Sequence, residues 1–185
     1  MARAREQAAK SEALAVTRTN GPCLVLALSL AGDSSRANKL IEEIGRRYPS
    51  DTLLQTVYLP MGRAVLEASP SDSAKSIETL RPAARFELGT DQNLQPIYVR
   101  GLVYLRAHQG QEAAAEFKKI LEHRGVAPIA PEYALAHLGL GRAYALSGDH
   151  INARKAYQDF LALWKDADPD IPILKEAKAE YAKLK

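Results

Sequence analysis

The most suggestive chemical signature in the chain is Gly139-Leu140-Gly141-Arg142-Ala143-Tyr144, which opens like the glycine-rich loop that wraps a dinucleotide pyrophosphate. That loop needs a third glycine so that helix and strand can approach. Here Tyr144 stands in its place and no strand-like run precedes it, so the backbone amides are not offered to a phosphate. The four histidines, His108, His123, His137 and His150, form no two-histidine helical pair, and none joins a cysteine at zinc-like spacing. They read as turn or surface residues, with His137 a satisfied, partly buried imidazole near the core. Asp166, Asp168 and Asp170 alternate around Pro169 but lack the glycine and the distal glutamate of a calcium loop, which leaves capping and solubility. Glu42 and Glu43 stand four residues before Arg46 and Arg47, the spacing of solvated ion pairs on a helix. The lone Cys23 has no internal disulfide partner and lies in an apolar run, so it reads as a small core residue in a reducing compartment. No catalytic residue, metal site or cofactor site emerges, and the chain is not expected to be an enzyme.

Composition narrows the field further. The 185 residues carry 25 basic and 22 acidic side chains, a net charge of only +3, and the two signs are interspersed. A nucleic-acid binder would show a basic stripe, so nucleic acid is not an expected partner. The longest apolar stretch, Cys23 to Ala31, is too short to cross a bilayer and follows a polar amphipathic segment rather than a basic leader. The expectation is therefore a cytoplasmic chain with no membrane partner. Ala, Leu, Glu, Lys and Arg dominate and β-branched runs are scarce, which favours helices throughout.

The elements that would position any site show an internal period. Leu140-Gly141, Ala143-Tyr144, Gly148-Asp149, Ala153, Tyr157 and Phe160-Leu161 recur about forty residues earlier as Gly101, Tyr104, Ala113, Phe117 and Ile120-Leu121. Weaker copies run through Gly62, Val65, Ala74, Ile77 and Leu80, and from Leu24 and Leu28 through Gly32-Asp33 to Ala37, Ile41 and Ile44. Glycine in a helix interior costs about 1 kcal/mol relative to alanine, so its recurrence at Gly101 and Gly141 implies close approach between helices. Tyr144 and Phe117 supply the buried bulk. A helix pair that cannot bury its own apolar face needs a stacked neighbour, which is why such a period survives in sequence.

These residues resemble the tetratricopeptide repeat, a helix pair with a small residue at the crossing, a large aromatic one turn later, and an Ala-x-x-x-aromatic pair on its second helix. The resemblance implies an all-α, tetratricopeptide-like α-solenoid as one domain over 1–185. Repeats are expected at 22–49, 52–84, 95–122 and 132–165, with terminal helices at 3–17 and 172–184. The periodicity and caps place helices at 22–31, 34–47, 52–68, 71–84, 95–108, 111–122, 132–146 and 150–165 between them. Gly32-Asp33 and Gly148-Asp149 read as a glycine C-cap followed by an N-cap. Ser69-Pro70 reads as an N-cap with proline at the first helical position, and Pro131 opens a helix in the same way. Pro60 falls inside a predicted helix and should kink it. The extra length of the later repeats falls in the connections from Phe86 to Leu94 and from His123 to Ala130, expected to pack over an edge.

A closer resemblance is carried by Leu28-Ser29-Leu30-Ala31-Gly32-Asp33, by the segment from Arg81 to Gly89, by Ala136 to Tyr144, and above all by Phe160 to Leu174. These stretches are similar to the C-terminal repeat region of acidobacterial multi-domain serine/threonine protein kinases and related regulators. The resemblance implies a docking or regulatory module, or a substrate-recruiting segment beside a kinase or regulator domain in the same parent chain. The chain itself has neither the H-R-D nor the D-F-G tripeptide that kinase chemistry needs.

The expected partner is thus a protein or peptide. The tetratricopeptide match sets Arg63, Gln95, Tyr98, Arg106 and Arg142 toward an inner groove, where arginines and a tyrosine suit an extended or acidic segment. The lysine and asparagine pattern of the family's carboxylate clamp is not recognisable, and Leu102, Leu135 and Leu138 make parts of the groove apolar. The competing expectation is that these side chains pack against the terminal helix or a neighbouring domain.

Overall fold

A computed structural model describes residues 16–70, 72–89 and 94–184, and among them every regular element is helical. The helix expected at 3–17 falls, except for its last two residues, outside the described part. The chain divides into two compact units, one ending at Phe86 and the other beginning at Glu87.

In the first unit, α1 (Gly21–Leu30) and α2 (Ser34–Arg47) reverse through Gly32, at φ 71°, with Asp33 receiving the Arg36 amide at 3.3 Å. A π-helical turn (Leu54–Tyr58) runs into α3 (Leu59–Glu67), followed by α4 (Ser73–Leu80) and a 3₁₀ segment (Arg81–Phe86). Helix α1 packs on both α2 and α3, and α3 on α4. Leu24, Val25, Leu28, Ile41, Ile44 and Leu54 form the centre of this core.

Three local expectations change in this unit. Pro60 is accommodated by the π turn just before it: the Leu59 amide reaches back five residues to the Leu54 carbonyl. The wider turn makes room where the proline ring would collide with a carbonyl four residues back. Ser69 does not cap a helix directly. Its hydroxyl receives the Asp72 amide at 3.2 Å, and regular helix begins at Ser73, then tightens to 3₁₀ geometry at Arg81-Pro82, where a backbone donor is missing. Cys23 is exposed rather than in the core. In an apolar run, periodicity does not say which face is buried, and the inward face here belongs to Leu24, Val25 and Leu28.

The second unit contains α5 (Gln95–Arg106), α6 (Gly110–Glu122), α7 (Pro131–Leu146), α8 (His150–Leu163) and α9 (Pro172–Lys183), each within two residues of its expected bounds. Consecutive helices pack on one another, and α5 also reaches α7. Gly148 at φ 77° ends α7, and Asp149 receives the Asn152 amide at 3.1 Å. The α5–α6 turn has the same form with His108 at φ 58° in the glycine's role, the Gln109 amide closing on the Tyr104 carbonyl at 2.9 Å.

The glycines of the repeat do allow close approach: a Cβ on Gly62 in the first unit would collide with the Val25 side chain, and in the second unit the neighbour is an aromatic ring. A Cβ on Gly101 would stand 2.7 Å from the Phe117 ring, and one on Gly139 would stand 2.5 Å from the same ring. A Cβ on Gly141 would stand 2.9 Å from the ring of Tyr157. Phe117 and Tyr157 are buried, whereas Tyr144 is half-buried beneath Lys118. Because Phe117 is held between two glycines it has nowhere to retreat, so Gly139→Ala should destabilise by about 1–3 kcal/mol despite alanine's higher helix propensity. Gly45→Ala, whose Cβ would meet Leu59 at 3.4 Å, is the control and should be neutral or stabilising by up to about 1 kcal/mol. Urea unfolding of the two variants checks the contrast in sign.

Candidate functional site

The five candidate groove residues fall in both units. Arg63 belongs to the first, on an exposed face of α3, where it lines a cleft of about 440 Å³ with Asn38, Glu42, Leu66 and Glu67. Glu67 is itself engaged there by Lys75 at 3.2 Å and by the Thr79 hydroxyl at 3.0 Å.

Gln95, Tyr98, Arg106 and Arg142 belong to the second unit. Gln95 and Tyr98 lie one turn apart on α5, Arg106 is exposed at its C-terminal end, and Arg142 is on α7. The Tyr98 ring meets Phe117 edge to face at 5.8 Å between centroids. Burial pushes its hydroxyl up to about 12, an effect the nearby Arg142 charge opposes. Arg142 itself packs against the terminal helix, as the competing expectation had it. Its Nε and Nη2 each donate to the Glu180 carboxylate at 2.9 Å, and Nη2 also reaches Glu176 at 3.5 Å. The Tyr157 hydroxyl donates to the same carboxylate at 2.8 Å.

Glu180 is therefore the meeting point of α7, α8 and α9. Burial alone would raise its pKa, but the hydrogen bonds from Arg142 and Tyr157 outweigh that and hold it below the ordinary glutamate value. Burial would lower the pKa of Arg142, and the same carboxylate reverses this and raises it. Burial and the hydrogen bond to Glu180 both raise that of Tyr157. The arrangement is a bidentate arginine fork with a tyrosine hydroxyl beside it, which recognises a carboxylate by geometry as well as by charge. Sequence reasoning named Tyr157 only as a position of the repeat, giving the buried bulk to Tyr144 and Phe117, and passed over Glu180, which lies 38 residues from Arg142. No local spacing joins the two.

A second ionic cluster also escaped the sequence reading. Arg100 on α5 donates to Glu87 at 2.6 and 3.0 Å and to Glu116 at 2.8 Å, while Lys119 reaches Glu87 at 2.8 Å. Glu87 is 4% exposed and Arg100 11%. Leu88, at φ 58°, packs on the same core, so this part of the Phe86–Leu94 connection does cover an edge. His137 is partly buried, edge-on to Tyr133 at 5.4 Å and 3.9 Å from Asp159, and burial lowers its pKa.

No helix among the described residues is long and apolar enough to cross a membrane. No family model, curated protein or solved structure matches the chain.

Burial raises the Glu87 carboxyl, but hydrogen bonds from Arg100 and Lys119 together bring it below its ordinary 4.5. A depressed folded value means that its contribution is complete above about pH 4.5 and is lost as pH falls through that lower value. Glu87→Gln should flatten the acid limb of the stability–pH curve below about pH 4.5 and destabilise at pH 7 by about 3 kcal/mol, the lower end for breaking a buried pair because Arg100 keeps Glu116. Chemical denaturation across that pH range measures both effects.

Proposed function

We propose that the chain is a non-catalytic protein–protein interaction scaffold built from tetratricopeptide-like helix pairs, two in each unit. The observation that carries this reading is the repeated seam of glycine against aromatic ring: Gly101 and Gly139 on Phe117, then Gly141 on Tyr157. It is supported by the glycine-to-aspartate reversal at Gly32-Asp33 and Gly148-Asp149, each capped by the aspartate side chain. Stacked pairs of this kind present side chains of alternate helices along one face, and such faces bind peptides or other proteins.

On this reading the ligand is a protein segment with acidic character, and each unit offers contacts of its own: Arg63 in the first, and Tyr98 with Arg142, flanked by Arg106, in the second. Aromatic and arginine anchors of this kind contribute most of the binding energy where they are desolvated.

The test is selection of displayed peptides of about fifteen residues on the immobilised chain. Wild type should enrich a related set rich in Asp and Glu. Arg63→Glu should weaken peptides held by the first unit, and Arg106→Glu those held by the second, by about tenfold in each case; both positions are exposed, so the helical circular dichroism should stay unchanged. Enrichment no better than on an unrelated helical protein of equal net charge would remove the interaction reading.

A further inference from the structure

Helix α9 holds to the second unit in an unusual way for a terminal helix. Of its own residues only Leu174 and Ala177 are buried, joined by Leu184 just beyond its end. Ile173 and the Tyr181 ring pack against the same cluster only partly buried, and the polar attachments gather in its last turns. They are the Glu180 carboxylate on Arg142 and Tyr157, the Tyr181 hydroxyl on Gln158 at 2.8 Å, and the Leu184 carbonyl on Arg154. The apolar residues it covers, including Leu138, Tyr157 and Phe160, form a cluster separate from the one around Phe117 and Ile97, to which α9 contributes nothing. The link from α8 is exposed at Lys165, Asp166, Asp168, Pro169 and Asp170.

We infer that the surface beneath α9 is a helix-binding seat for a partner protein, and that α9 is its resident occupant, released when an acidic amphipathic helix of the partner takes its place. The resident defines what the seat accepts. Leu174, Ala177, Glu180 and Leu184 fall at intervals of three, three and four residues along one helical stripe. An incoming helix needs two small or medium apolar residues, a glutamate one turn later for the Arg142 fork and the Tyr157 hydroxyl, and a leucine beyond it. Charge complementarity argues for a partner rather than for permanent closure. With α9 away, Arg142 would lose its carboxylates while keeping its place on α7, a two-point donor left without its acceptor and so a recruiter of another carboxylate. The core around Phe117 would be untouched. The tether gives α9 a millimolar effective concentration, so a free competitor of equal quality loses unless the latch is weakened.

This inference rests on the interaction-scaffold reading for its biological setting, but its test does not. The probe is a fluorescent peptide of residues 171–184 added to the full chain. It should bind Glu180→Ala at least tenfold more tightly than wild type, because the mutated α9 vacates the seat while the peptide still carries its glutamate. The same peptide bearing Glu180→Lys, or a chain carrying Arg142→Ala with Glu180→Ala, should lose at least tenfold of that binding. Equal affinity for wild type and Glu180→Ala, or no binding to either, overturns the seat. Amide hydrogen exchange on the wild-type chain is independent of whether the variant folds. The α9 amides should open at least a hundredfold more often than those of α7 and α8, and uniform protection through α7–α9 would overturn the proposal. Peptide binding without any enrichment from a displayed library would leave the seat standing and remove the scaffold reading.

Discussion

The second unit is organised around one steric constraint: the ring of Phe117, on α6, lies against Gly101 of α5 and Gly139 of α7, fully buried from solvent. With the ring this close to both backbones, neither helix has room for a Cβ at the contact, so the two glycines and the phenylalanine are one choice, not three. Its consequence reaches the surface. Since Phe117 occupies the gap, α5 and α7 come into direct contact, and Tyr98 on one helix lies within electrostatic reach of Arg142 on the other. Widening the seam by a methyl group would move Tyr98 and Arg142 apart. The glycines' cost in helix propensity is offset by that packing.

Most of the helical organisation was legible in the sequence, for physical reasons that can be named. Gly148-Asp149 fixed the α7–α8 reversal because only two local properties are involved, a backbone able to adopt positive φ and a short acceptor able to cap three residues on. The Gly101 and Gly141 spacing pointed to close packing for the same reason. The sequence misled where two local signals competed. Pro60 is a helix breaker by its missing donor, yet the helix continues because one turn widens around it. His108 adopts a conformation usually left to glycine, which residue type alone does not announce. Cys23 sits in a run so uniformly apolar that it has no amphipathic phase to read.

What the sequence did not reveal is where charges pair. Arg142 could be set on the right helix from its spacing, but its partner lies 38 residues on, and Glu87 lies 32 residues from Lys119. Ion pairs across a fold are set by tertiary geometry. In a chain where 25% of residues are charged, each arginine has many acids that could serve, and only packing selects among them. The same holds for Tyr157: the sequence offered Tyr144 as the buried bulk, whereas the ring against Gly141 is that of Tyr157, and its hydroxyl finds its role only once α9 is in place.

The same pair of functional groups is thus used twice in the second unit, with opposite mechanical results, and burial decides between them. At Glu87 and Arg100 the side chains are 4% and 11% exposed, neither can be solvated if the other leaves, and separation carries the full desolvation penalty. That pair fixes a connection permanently. At Arg142 and Glu180 the side chains are 29% and 33% exposed, so water and salt can replace part of what is lost when they separate. Such a pair specifies which carboxylate sits there and in what orientation without making its departure prohibitive. A binding surface of the kind proposed would need that combination, since a contact too strong to break would serve only the fold and one without geometric demand would accept any acid. The two-point arginine fork meets the geometric demand, and its partial exposure lowers the cost of separation.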